Sequence, residues 1–298
     1  MYRSIGVLSV GLAKCDPTSP ANSLYNDAIP LPYKVKPLLL SLFKSKPLLD
    51  ETTVQWLFDC YGWALLQFDV HVLRKEAVLV LPNDRFFPGR ANSAEGMANL
   101  IFDRVKEYAG VSHWPTSLID VRRSTTWAPE QLVLPGAHRA SNGAMPEAVD
   151  ERERLLVLYD SAMVNNPEAM IAGLSHQLAH YMVSLAKEPP PGGEQNRAHI
   201  TELLAVYLGF GLMFANSAFN VRIPRCGSCA PQPVDRQSFL SQYDTTYALA
   251  IYCVLKAIPN RTVLPHLKGS LRSFYKKAVR EVSANETELG RFHQGTES

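Results

Sequence analysis

The sequence predicts an α+β fold with a helical majority and a small sheet. Apolar residues recur at helical spacing over long stretches, most clearly at Val54, Leu57, Phe58, Tyr61, Leu65 and Phe68. Short apolar runs divided by Pro and Gly, the pattern of strands, cluster between residues 77 and 159. Apolar content of 46% beside 19% charge, over 298 residues, suits a folded chain with a sizeable core.

Taken in order, residues 1–33 read as an extended segment, punctuated by Pro17, Pro20, Pro30 and Pro32. A single domain is expected over 34–282, with an N-terminal α/β part (34–150) and a helical part (151–282). Its first helix spans 51–68, opened by Asp50. A strand is expected at 77–81, then a helix that Asn92 and Glu95 would open as a capping box. Its inner side would carry Met97, Leu100, Ile101, Val105 and Tyr108. Residues 117–121, 131–134 and 154–159 are strand-like. Asn166 and Pro167 then cap and start a helix that the run Pro189, Pro190, Pro191, Gly192, Gly193 ends. Further helices are expected at 197–215, 245–256 and 262–282, and a loose polar tail at 283–298.

A net charge of +2 gives no electrostatic reason to expect a nucleic-acid or anionic-membrane partner. The basic residues Lys268, Arg272, Lys276, Lys277 and Arg280 read as a solvated helix face, with a phosphate-binding surface as the alternative. Five cysteines are too few for a disulfide scaffold; Cys60 and Cys253 read as core, while Cys226 and Cys229 form a lone Cys-x-x-Cys. Residues 4–13 followed by Cys15 look like a lipoprotein leader, yet Lys14 stands where a small residue is expected. A cytoplasmic chain is therefore favoured over an envelope lipoprotein. Residues 203–221 lack charge, but the apolar part ends at Ala215, so a buried helix is expected rather than a membrane span.

The most informative stretch, residues 171–183, reads IAGLSHQLAHYMV. His176 and His180 are about one helical turn apart, so both leave the same face and can reach one ion. Ile171, Leu174, Leu178, Met182 and Leu185 form the opposite, apolar stripe. On the following helix, Glu202 precedes a run that is apolar on all sides. A carboxylate buried there needs a partner, and a divalent cation would serve; a solvated carboxylate at the helix mouth is the alternative. His199 is the competing third ligand, since zinc accepts nitrogen or carboxylate oxygen.

Residues 160–168 (DSAMVNNPE), the histidine helix, and residues 200–211 (ITELLAVYLGFG) resemble the core of gluzincin-type zinc metallopeptidases. The likeness is closest to a group of largely uncharacterised bacterial zincin-like proteins. It extends loosely over about 48–282, while its specific part is the two helices. The resemblance implies a zincin-like fold, with an active-site helix and a second helix carrying the third ligand. It implies Zn2+ held by His176, His180 and Glu202, although the family often has Asp where Glu202 stands. It also implies a peptide or protein substrate lying along the strand before the histidine helix.

Gln177 departs from the pattern, because a working member has glutamate there to take a proton from zinc-activated water. Zinc brings the pKa of such water to about 7, and general acid–base assistance adds roughly 10²- to 10⁴-fold. Glutamine cannot accept that proton. Two explanations fit: a naturally inactive relative, or an engineered Glu→Gln change. Tyr243 and Tyr247 are the candidates for oxyanion stabilisation, with a core aromatic role as the alternative for each. The sequence thus supports a zinc metallopeptidase-like hydrolase altered at its base, or a non-catalytic zinc-stabilised peptide- or protein-binding protein, with a helical globular protein holding no metal, its two histidines unrelated, as the third reading. It does not specify an oligomeric state.

Overall fold

The computed structural model describes residues 46–68, 73, 76–122, 154–217 and 238–294. The chain divides into two units, Met1–Lys46 and Pro47–Ser298, and the first lies outside the described residues apart from Lys46. The expectations for Cys15, for residues 131–134 and for Cys226 and Cys229 also fall outside them.

In the second unit, α1 (Glu51–Gln67) starts at Asp50, whose carboxylate accepts from the Thr53 N–H at 2.9 Å. Helix α2 (Ala94–Ala109) is capped one residue later than expected. The Ser93 hydroxyl accepts from the Gly96 N–H at 3.0 Å, and Asn92 stays outside the helix. The expected strand at 77–81 has no regular secondary structure and joins no ladder among the described residues. Instead its Val80 N–H donates to the Gly209 carbonyl at 3.0 Å.

β1 (Thr116–Asp120) and β2 (Leu155–Tyr159) pair in parallel, with Leu118 opposite Val157. Helix α3 (Pro167–Leu185) follows β2 after a short 3₁₀ turn. Its cap is Asn166, whose side chain accepts from Ala169 N–H at 3.3 Å, with Pro167 in the first turn. α3 packs against α4 (Arg197–Ala205), α2, β2 and α5 (Gly211–Ser217).

The helix expected over 197–215 is broken between α4 and α5 by a wide turn at Val206–Phe210. Gly209 there has φ of 104° and ψ of 0°, a left-handed conformation, and a Cβ on it would strike the Val78 carbonyl oxygen. The break lets the 77–81 segment lie against helix backbone. Every residue from Leu203 to Ala215 is buried. The 194–217 stretch is long and apolar enough to cross a membrane, but 89% of its apolar window lies inside the fold, as in a core helix.

Helix α6 (Gln242–Leu255) packs against α5 and α8 (Gly269–Ala284). The helix expected over 262–282 is split into α7 (Asn260–Val263) and α8 by a 3₁₀ turn around Pro265, which has no N–H for a helical bond. A final helix, α9 (Glu286–Gln294), occupies most of the expected loose tail. It is anchored by Phe292, whose ring lies 6.2 Å from Phe58, and by Arg291, which pairs with Asp59 at 2.9 Å.

The turn between α3 and α4 is gripped by one face of α1. Trp56 Nε1 donates to the Pro191 carbonyl at 3.1 Å, and Trp63 Nε1 to that of Glu188 at 3.0 Å. Gln67 Oε1 accepts from the N–H of Lys187 at 2.9 Å and that of Glu188 at 3.3 Å. The helix pair that carries the histidines and Glu202 is therefore tied at its turn to a third helix.

Candidate metal centre

His176, Gln177 and His180 lie in the middle of α3, whose buried residues include Ile171, Leu174, Leu178 and Met182, as the apolar stripe requires. Leu185, at the end of the stripe, is half-buried. His176 is half-buried, with its Nε2 atom in the interior. His180 is exposed. Desolvation holds its imidazole below the usual histidine range, and the neighbouring Arg197 charge adds to this. Arg197 is held in place by Glu194, its Nε donating at 2.7 Å. A neutral imidazole suits metal ligation, but the guanidinium beside it opposes a second cation.

Gln177 is occupied elsewhere. Its Nε2 donates to the Leu158 carbonyl and its Oε1 accepts from the Leu158 N–H, both at 2.7 Å. The geometry of β2 explains why these groups are on offer. Leu155 N–H donates to Pro115 and Tyr159 accepts from Val121 N–H, so Leu155, Val157 and Tyr159 face β1. Alternate residues of a parallel strand bond to opposite sides, so Leu156 and Leu158 turn to the other edge. There the Tyr181 hydroxyl donates to the Leu156 carbonyl at 2.8 Å, one helical turn beyond Gln177. Two side chains of α3 thus stand in for a neighbouring strand. The edge along which a peptide was expected to lie is taken at Leu156 and Leu158 by this helix.

An ionised carboxylate replaces only half of that amide. It could accept from the Leu158 N–H, but would face the Leu158 carbonyl without a proton to donate. The clamp accounts for glutamine at this position in structural terms that the sequence reading lacked. The signal was present: Gln177 and Tyr181 stand four apart on a helix that closely follows a strand.

Glu202 lies in the second turn of α4 and is fully buried. The solvated position at a helix mouth is therefore not what it occupies. Its Oε2 accepts from the Leu240 N–H at 2.8 Å, just ahead of α6. A bond of this kind contributes on the order of 1 kcal/mol net. His199, on the first turn of α4, stands edge-on to Trp56 and Phe239, with ring centroids at 6.4 and 5.9 Å. Its Nδ1 is buried and has no hydrogen-bond partner among the described residues.

Both candidate tyrosines make a contact with α8. Tyr247 is buried and its hydroxyl donates to Glu281 at 3.1 Å; burial pushes its pKa far up, and the Glu281 charge adds to this. Tyr243 is 53% exposed, with its ring 4.8 Å from that of Phe274. Neither contact is that of an oxyanion donor.

The helix pair places His176, His180, His199 and Glu202 on adjoining elements, as a zinc site of this type needs. Among the described residues, however, no three His, Cys, Asp or Glu side chains converge closely enough to hold a metal ion. Comparison with family models, with curated proteins and with solved structures finds no match to this chain.

Proposed function

We propose that this chain is a non-catalytic binding protein of zincin-like type, in which the general-base position serves the fold. The observation that carries the reading is the two-bond clamp between Gln177 and Leu158. It gives position 177 a role that ionised glutamate would fill only in part, and it uses up strand-edge groups that a peptidase of this kind keeps for its substrate. The natural ligand on this reading is a peptide or protein bound without turnover.

Zn2+ remains part of the proposal as a stabilising ion. His176 and His180 would supply two donors, with Glu202 or His199 as the third after side-chain movement. The ion, when bound, would crosslink α3 to α4 and would add Lewis acidity that Gln177 has no means to exploit. A second reading, a peptidase altered at its base, is favoured by the sequence pattern of the two helices and shares the same donors.

Two measurements on the full chain separate these readings. Elemental analysis after zinc-replete purification should give about one zinc per chain, lost on His176→Ala or His180→Ala. Absence of zinc from the unaltered chain would remove the ion from the proposal. Gln177→Glu should yield no cleavage of a mixed peptide library with zinc present. Metal-dependent cleavage by that variant, blocked by a chelator, would establish the peptidase reading instead.

A further inference from the structure

We infer that the outer face of α8 docks on an anionic phospholipid surface. Lys268, Arg272, Lys276 and Arg280 follow one another at four-residue steps, and Lys277 lies beside them. All five are exposed. At 1.5 Å per residue the row extends about 18 Å. Between Asp244 and Glu281 the chain has no acidic residue, and Glu281 itself bonds Tyr247 and the Leu48 N–H. Among the described residues, Arg90, Arg104, Lys106, Arg122, Arg197 and Arg291 each pair with a carboxylate, whereas none of the five along α8 and its N-cap does; Lys46, Arg85, Arg154, Lys187 and Arg261 also form no ion pair but lie on other segments. A chain of net charge +2 therefore concentrates uncompensated positive charge on one helix.

The form of the face selects the partner. The side of α8 toward α6 is used by the core through Leu271, Tyr275, Ala278 and Val282, so the helix has no apolar stripe to insert between lipids. Contact must be superficial and electrostatic. Between the cations stand small, exposed residues such as Gly269 and Ser273, so no bulky side chain at those two positions separates the cations from a flat surface. Beside Phe274, at the flank of the row, Tyr243 is exposed with its ring against that side chain. An amphipathic ring of this kind suits the headgroup level of a bilayer. Arg272 is oriented by donating to the Leu267 carbonyl at 2.9 Å, while the remaining cations are free to meet headgroups.

The test is co-sedimentation of the full chain with vesicles at about 0.1 M salt, where screening acts beyond roughly 10 Å. The chain should partition onto phosphatidylcholine vesicles containing about one third phosphatidylglycerol, and at least about 10-fold less onto phosphatidylcholine alone. Each cation near such a surface contributes on the order of 5-fold, so Lys276→Ala, Lys277→Ala and Arg280→Ala together should reduce binding about 100-fold. These three side chains make no hydrogen bond or ion pair among the described residues, and an unchanged melting temperature would establish that the variant is folded. Removing Arg85, Arg90 and Arg104 instead lowers net charge equally and should change binding less than about 3-fold. Equal binding to both vesicle types, or equal loss from the two triple variants, would overturn the inference. So would tighter binding to a short DNA duplex than to the anionic vesicles at the same salt. The outcome is independent of the zinc measurements, since no residue of α3 or α4 takes part.

Discussion

Replacing Gln177 by glutamate discriminates between a position kept for structure and one that has lost its chemistry. At pH 7 the carboxylate retains at most the bond from Leu158 N–H and loses the donation to Leu158 O, now 2.7 Å away. Each such bond contributes about 0.5–1.5 kcal/mol net. Leu158 is 38% exposed, so water can replace part of what is lost. The cost at pH 7 is therefore about 1–2 kcal/mol. Protonation restores a donor, so the folded state raises the carboxyl pKa above the unfolded value of about 4.3. For a raised acid, the contribution to stability is complete below about pH 4.3 and is lost as pH rises through the folded value. Urea unfolding followed by tryptophan fluorescence at several pH values between about 4 and 7 should show a deficit that opens as pH rises. Gln177→Met, which loses both bonds at every pH, should give a deficit independent of pH. A glutamate variant as stable as the original chain at pH 7, or one whose deficit does not change with pH, would refute the clamp as the reason for glutamine.

Two further outcomes follow from the fold. Gly209→Ala should lower stability by about 2–5 kcal/mol, from the left-handed backbone and the collision with Val78, and a loss under about 1 kcal/mol in urea unfolding would contradict that geometry. The Asp160 carboxyl is held below the usual carboxylate range, chiefly by the Arg122 side chain and then by the Ala162 N–H. Its contribution is present above the unfolded pKa and lost as pH falls through the lower folded one, so Asp160→Asn should flatten the acid limb of the stability curve below about pH 4.

Much of the described fold was legible in the sequence, because periodicity and capping are local. Asp50, Asn166 and Pro167 start their helices as expected, and β1 and β2 lie within a residue or two of their predicted positions. The failures have a common cause. Gly209 sits inside a uniformly apolar run, where periodicity is uninformative, and its bend is set by a segment more than a hundred residues away. Phe292, against Phe58 across the chain, and Leu289 anchor a helix in a tail of mostly polar residues. The spacing of His176 and His180 could be read directly, as could the burial of the helix that Glu202 enters. What Glu202 meets could not, since the Leu240 N–H belongs to another helix's approach. Gln177 shows the same limit: a family pattern assigns its position to chemistry, and only the strand edge beside it reveals the structural use.

The grip of α1 on the turn after α3 bears on how this protein can be engineered. A surface turn with three prolines and two glycines is ordinarily the first choice for a tag, a cleavage site or new chain ends. Here the carbonyls of Glu188 and Pro191 are already spoken for by indoles of a distant helix. Lengthening that turn would pull α1 away from the helix pair, so inserted sequence belongs elsewhere on this scaffold.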